Sequence, residues 1–281
     1  MSANKGLKFE LLFVGNELLI GEVLNTNSQW LARNITLLGG TCYRMTVVRD
    51  SLEEISNTAK EILERSPRFL IISGGLGPTY DDMTLEGLSL ALHRPLKTDK
   101  TALTWVTRKY EELKRIGRIA DSEMTPPRKK MAKLPITSKP LPNPVGSAPG
   151  VLLEEGNTRI VCLPGVPEEL KAIFEESVKK EIVKEVGERY FAESHFTVRG
   201  IGESAMAPTI EKAMVEHSPY VYIKSHPKHG KDVTVEFHLT TPDNPECYNM
   251  GRDFLIQKIK ETQKELVDKI KKLGGTIVNQ N

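Results

Sequence analysis

At 281 residues with a formal net charge of +2, from 39 Lys and Arg against 37 Asp and Glu, the chain is long enough for two domains. That balance gives no electrostatic footprint of a nucleic-acid or membrane surface, so neither is expected as a partner. The three cysteines, Cys42, Cys162 and Cys247, are widely spaced in no metal-ligand pattern, and the N-terminus MSANKGLK lacks the apolar stretch of a signal peptide or membrane span. A cytoplasmic protein with reduced thiols is expected.

Residues 9–14 (FELLFV) form an apolar run suited to a strand buried on both faces of a parallel sheet. Residues 15–25 read as a strand-to-helix loop, and Asn25, Thr26 or Asn27 caps a helix whose apolar face is Trp30, Leu31, Ile35 and Leu38. The plan repeats. A strand over 41–48 is followed by a cap at Asp50 or Ser51, a helix over 52–65 with Ile55, Ala59, Ile62 and Leu63 inward, and a strand over 68–73. Strands alternating with helices at this spacing predict right-handed βαβ units and a mostly parallel sheet, with the loops after its strands gathered along one edge.

A helix over 83–93 and a charged helix over 98–118 follow, and residues 120–134, with a basic run, read as solvated surface. The proline-rich stretch 135–149 predicts neither ordinary helix nor central strand. Strands over 150–154 and 159–163, joined by a turn, lead to a helix with Pro167 at its first position that runs to residue 186. Beyond Gly187 the pattern changes to βαββα: strands over 195–199, 220–225 and 233–241, helices over 203–217 and 245–273, and a closing strand over 276–278. This predicts an α/β domain over 1–188 and a small α+β domain over 189–281. KH-type nucleic-acid modules share that βαββα order, but no GxxG loop joins two helices here, so a packing or dimerisation role is expected.

The stretch 71–84, IISGGLGPTYDDMT, concentrates the chemistry. Gly74, Gly75 and Gly77, with Leu76, Pro78 and Thr79 in the same loop, permit close approach of a phosphorylated ligand after a strand. Asp81 and Asp82 supply two carboxylates for a hard cation or for holding a ribose or pterin donor, although Asp82 also fits a plain helix cap. Paired carboxylates beside a phosphate cradle suit metal-assisted chemistry on a phosphate group. Gly15, Asn16 and Glu17 follow the first strand. Glu17 fits a metal ligand, a general base or an edge charge, and Asp50 fits either a cap or a catalytic group. Gly146, Ser147 and Ala148 in NPVGSAPG are expected to present N–H groups and a hydroxyl to a second phosphate, and Glu168 in LPGVPEE to join a cation site. His226 and His229 in HPKH have no third ligand nearby and are expected at the surface.

In this order and spacing, GNELLIGEVLNTNS, SGGLGPTYDDMT, NPVGSAPG and LPGVPEEL resemble the N-terminal region of the competence/damage-inducible CinA family. That region is similar to the MoaB/Mog molybdopterin-binding fold and to the corresponding domain of eukaryotic FAD synthases. The resemblance implies a three-layer α/β domain followed by a small domain, and metal-dependent hydrolysis of the diphosphate in ADP-ribose or a related dinucleotide. The glycine motif maps to Gly74 through Asp82. A divalent cation of the Mg or Co type is expected, a monovalent cation as an option, and a homo-oligomer, dimer or trimer. Two alternatives stay open: molybdopterin binding or adenylylation, falling on Asp50 and one of Asp81 or Asp82, and a non-catalytic nucleotide sensor. Many relatives carry Asp where Asn16 stands. Longer relatives carry a C-terminal nicotinamide-nucleotide deamidase domain; the chain ends at Asn281, and deamidase activity is not expected.

Overall fold

The computed structural model describes residues 7–187, 189–228, 230, 232–248 and 250–280, so His229 lies outside the described residues. The chain divides into two compact units, one of Leu7–Ile35 with Gly40–Glu185 and the other of Thr36–Gly39 with the chain from Val186 onward. Among the described residues no helix is long and apolar enough to cross a membrane.

The first unit contains β1 (Lys8–Val14), α1 (Asn16–Leu19), α2 (Thr26–Leu37), β2 (Thr41–Val48), α3 (Leu52–Glu64), β3 (Phe69–Ser73), α4 (Thr84–Leu92), β4 (Leu96–Thr98) and α5 (Lys100–Arg115). It continues through α6 (Pro126–Lys130), β5 (Lys133–Pro135), β6 (Lys139–Leu141), β7 (Gly150–Glu155), β8 (Thr158–Leu163), α7 (Pro167–Ile173) and α8 (Lys179–Val186). The main sheet has the order β2-β1-β3-β8-β7-β6. Neighbours from β2 to β8 are parallel, while β7 runs antiparallel to β8 and to β6.

Burial explains the strand sequences. Every residue of β3 is buried, as is β1 apart from its first, because helices cover both faces of this sheet. One face holds Leu12, Val14, Leu70 and Ile72 against Ile55, Ala59, Ile62, Leu88 and Val106 of α3, α4 and α5. The opposite side chains include Phe9 and Phe69, in register and stacked with centroids 4.7 Å apart. Trp30 of α2 meets Phe174 edge-on at 5.1 Å. This is the expected three-layer α/β arrangement.

Four local differences from the sequence expectation have physical causes. The loop after β1 contains the single-turn α1, whose first N–H is taken by Asp50. The proline stretch contributes β6, which sits at the sheet edge, where Pro140 costs little. Strands β4 and β5 pair as a separate two-stranded ribbon, and the helix expected over 168–186 is interrupted by a π turn at Phe174–Val178.

One buried charge sits inside β1. Glu10 is 2% exposed, and Arg65 at the end of α3 clamps it through Nε to Oε1 at 2.9 Å and Nη2 to Oε2 at 2.7 Å. The pair raises the pKa of Arg65 and leaves Glu10 dependent on a single cation.

At the end of β3 the backbone turns through Gly74 (φ 109°) and Gly75 (φ 64°). A Cβ on Gly74 would lie 2.1 Å from the Val14 carbonyl oxygen, so only glycine passes between β1 and β8 there. The Gly74 N–H donates to Leu163 O at 3.0 Å, and the fully buried Thr84 donates its hydroxyl to Gly74 O at 2.8 Å. This hydroxyl ties the loop to the start of α4.

The second unit contains β9 (Glu193–Arg199), α9 (Glu203–Glu216), β10 (Tyr222–Lys228), β11 (Thr234–Thr240), α10 (Pro245–Tyr248), α11 (Arg252–Lys272) and β12 (Thr276–Gln280). Its sheet is antiparallel throughout, in the order β10-β11-β9-β12. Burial in β9 and β11 alternates residue by residue, since one face packs on Leu255, Ile259 and Leu266 of α11 and Met206 of α9 while the other meets solvent. The single helix expected over 245–273 is broken at Gly251, whose extended ψ of 153° starts α11 anew.

Replacing Arg65 with Leu should strand the Glu10 carboxylate and lower stability by about 3 kcal/mol, read from the urea midpoint, with the double variant Glu10→Leu/Arg65→Leu recovering most of it. Thr84→Val, nearly isosteric, should cost roughly 1–2 kcal/mol in the same assay through loss of the bond to Gly74.

Candidate functional site

The C-terminal ends of β1, β2, β3 and β8 lie side by side, and the loops that leave them enclose a cleft of about 390 Å³. Its lining includes Gly15 and Glu17 after β1, Asp50 after β2, Gly74 to Thr79 with Asp81 and Asp82 after β3, and Pro164 to Val166 after β8. Met131, Ser147, Ala148 and Glu169 complete it. A crevice at the carboxyl edge of parallel strands is the usual place for a ligand in open α/β sheets.

Most of the residues singled out in the sequence converge here. Glu17 folds back over Gly15, where a Cβ would come within 2.3 Å of Glu17 Oε1. Asp50 accepts the Asn16 N–H at 2.8 Å, so it caps the short α1, while Ser51 caps α3. The glycine loop leaves the N–H groups of Gly75, Leu76 and Gly77 without a protein acceptor among the described residues, as are those of Ser147 and Ala148 in the loop before β7. Such groups are available to an anion.

Asp81 and Asp82 converge on one atom. Thr79 Oγ1 lies 2.5 Å from Asp81 Oδ1 and 2.5 Å from Asp82 Oδ2, and the Thr79 N–H donates to Asp82 Oδ2 at 2.9 Å. Gly77 leaves the room for this, since a Cβ there would stand 2.5 Å from Asp82 Oδ2. The Thr79 hydroxyl, the Asp81 backbone N–H and Lys130 hold the Asp81 carboxyl below the usual range. A hydroxyl has one proton and can donate it to only one of the two carboxylates, so the pair retains acceptor capacity beyond what Thr79 supplies.

Three expected site residues fall elsewhere. Asn16 is exposed and does not line the cleft. Glu168 is exposed and outside it, and the acid of that turn that lines the cleft is Glu169. Gly146 is also outside the lining, and its N–H donates to Asn143 Oδ1 at 2.7 Å, which removes it from the set of free donors. Gly146 instead makes space: a Cβ there would be 2.0 Å from the Glu169 carboxyl. Asn143 Nδ2 donates to Glu169 Oε2 at 2.6 Å. Burial pushes the Glu169 carboxyl up, Asn143 and Lys109 pull it down, Glu168 adds to the rise, and the net effect is upward.

Some site residues were not anticipated. Glu169 stands four residues before the buried Ile173, a helical spacing that places both on one face and distinguishes it from Glu168. Lys130, part of a run read as solvated surface, donates from Nζ to Thr79 O at 2.9 Å, and Tyr110 holds the neighbouring Arg128 guanidinium 4.2 Å from its ring centroid. Buried Asn27, one of three candidate caps, bridges Gly165 O at 2.8 Å and Ser73 Oγ at 3.3 Å beneath the cleft, with its own Oδ1 unpartnered among the described residues, and Asn25 does the capping. No local signal in the sequence marks Lys130 or Asn27 for these contacts.

Residues 10–185 match the family model described as "Probable molybdopterin binding domain". A protein of Metallosphaera sedula is 39% identical over 274 residues, which is 95% of this chain and 96% of its own. One from Pyrobaculum arsenaticum is 41% identical over 260 residues, 92% of this chain and 93% of its own. Among solved structures, the protein CinA of Thermoplasma acidophilum, described as having unknown function, aligns with a TM-score of 0.57 at 37% identity, covering 63% of this chain and 98% of that one. With the glycine loop, the paired aspartates and the sheet edge in place, the chain belongs to the family of MoaB/Mog-like molybdopterin-binding domains and is CinA-like within it.

Proposed function

We propose that the cleft hydrolyses a nucleotide diphosphate linkage of the ADP-ribose type with the help of a divalent cation. The observation that carries this reading is the meeting of Asp81 and Asp82 at the single Thr79 hydroxyl, beside the free N–H groups of the glycine loop. An all-oxygen donor set with surplus lone pairs fits a hard cation of the magnesium kind. Charge argues the same way. Five carboxylates line the cleft, those of Glu17, Asp50, Asp81, Asp82 and Glu169, and none of the lining residues is basic, so a diphosphate needs a cation beside it.

In this reading Asp81 and Asp82 would hold the cation, which when bound would offset the charge on the diphosphate oxygens. The N–H groups of Gly75 to Gly77 hold one phosphate, and those of Ser147 and Ala148 face it from the other wall. Glu17 or Asp50, both facing the cleft, takes the proton from the attacking water. Asp50 is partly committed to capping α1, which favours Glu17 for that role.

A second reading is supported by the description of the family model. The same cradle suits the phosphate of a molybdopterin, bound or adenylylated without hydrolysis of a dinucleotide.

Asp81→Asn should lower the release of AMP from ADP-ribose in the presence of Mg²⁺ or Co²⁺ by ~100-fold or more, since an amide cannot supply the second negative oxygen. Unchanged turnover would remove Asp81 from the mechanism. A wild-type protein that turns over no dinucleotide yet binds molybdopterin tightly would select the second reading.

The pH dependence has a defined sign. Burial raises the Glu169 pKa above its ordinary value, whereas the hydrogen bond from Thr79 lowers that of Asp81. As pH falls through the raised Glu169 pKa, one negative charge leaves the cleft wall, and the affinity for ADP-ribose with divalent cation, measured by calorimetry, should rise. Glu169→Gln, neutral throughout, should flatten that step and bind at the acidic-side affinity over the whole window.

A further inference from the structure

The outward face of the second unit's sheet carries a group of side chains that the cleft chemistry does not use. His195 on β9 and His238 on β11 stand directly opposite one another across an antiparallel pair. Glu193, two residues before His195, shares their face because side chains alternate along a strand. The intervening Phe196, Phe237 and Leu239 are buried and fix that orientation, since a slip of one residue would turn the apolar set to solvent.

The three side chains are close and accessible. The imidazole rings stack with centroids 4.0 Å apart and 14° between planes. His238 Nε2 lies 2.9 Å and His195 Nε2 3.7 Å from the same Glu193 oxygen, Oε2. One ligand atom from each residue falls within 4.8 Å of the others. Exposures of 41% for His195, 27% for His238 and 20% for Glu193 leave the ring nitrogens reachable while the strands restrain their positions.

We propose that Glu193, His195 and His238 form a binding site for one divalent transition-metal ion of the zinc, nickel or cobalt class. Only His238 Nε2 lies within hydrogen-bonding distance of Glu193 Oε2, at 2.9 Å, while His195 Nε2 stands off at 3.7 Å, so the carboxylate joins one ring and not both. A divalent ion meets all three groups at once after small ring rotations. Two imidazole nitrogens with one carboxylate oxygen select these borderline metals over magnesium or calcium, whose preferred ligands are oxygens. Three protein ligands leave a position for water or an exchangeable ligand. The ion would also link β9 to β11 across the sheet. The site differs in donor chemistry from the all-oxygen aspartate pair of the cleft, so the two are separable by metal preference.

The test is a metal titration of the full chain at neutral pH. Calorimetry with Zn²⁺ should give one equivalent bound far more tightly than Mg²⁺, and affinity should fall at least ten-fold in His195→Ala and in His238→Ala. Glu193→Gln, isosteric on an exposed face, should weaken binding with the fold undisturbed, as checked by circular dichroism. With Co²⁺ as probe, the visible absorption of an imidazole-ligated ion should persist in Asp81→Asn and vanish in His238→Ala. Equal Zn²⁺ affinity in the wild type and both histidine variants would overturn the proposal, as would a wild type that binds Zn²⁺ no better than Mg²⁺, leaving a simple His–Glu pair. A Co²⁺ band that survives in His238→Ala and disappears in Asp81→Asn would place the ion in the cleft and equally refute it.

Discussion

The geometry of the larger unit rests on the passage of backbone through Gly74. Its hydrogen atom, where any other residue has a Cβ, faces the Val14 carbonyl, its N–H engages Leu163 of β8, and its carbonyl accepts the Thr84 hydroxyl. Three elements are thereby held around one residue. The loop that follows must leave the sheet in a left-handed conformation at Gly75, which points its next N–H groups into open space, where a ligand can use them. Stability and binding capacity are set at the same point.

Charge is distributed unequally around that loop. Inside the sheet, a lone carboxylate is tolerated only because Arg65 meets Glu10 with two parallel hydrogen bonds. In the cleft, five carboxylates are gathered with no basic side chain in the lining, and Lys130 beside it is engaged by the Thr79 carbonyl and by Glu86 at 3.7 Å. The small glycines serve this arrangement as much as the acids do, for Gly77 and Gly146 each stand where a side chain would displace a carboxylate.

The two units solve the burial problem in different ways, and the difference reaches function. Helices on both faces of the parallel sheet make its strands continuously apolar and confine chemistry to the loops at the strand ends. The antiparallel sheet of the second unit is covered on one side only, so every second residue is free to be polar. That is why histidines from two strands can stand side by side there, with Phe196 and Phe237 stacked at 4.8 Å on the reverse face.

Much of this was legible in the chain itself. The apolar runs of β1 and β3, the alternation of β9 and β11, the βαβ rhythm and the glycine-aspartate loop are local patterns, because burial on one or two faces imposes a period within a single segment. Three-residue strands such as β4, β5 and β6 are too short to show a period, and Pro140 argues against a strand until its place at the sheet edge is known. That Lys130 reaches Thr79, that Gly146 spends its N–H on Asn143, and that Glu193, His195 and His238 meet were decided by tertiary structure alone. Each depends on register and packing between segments far apart in the chain, and a segment's own sequence records which face it buries without recording what lies across from it.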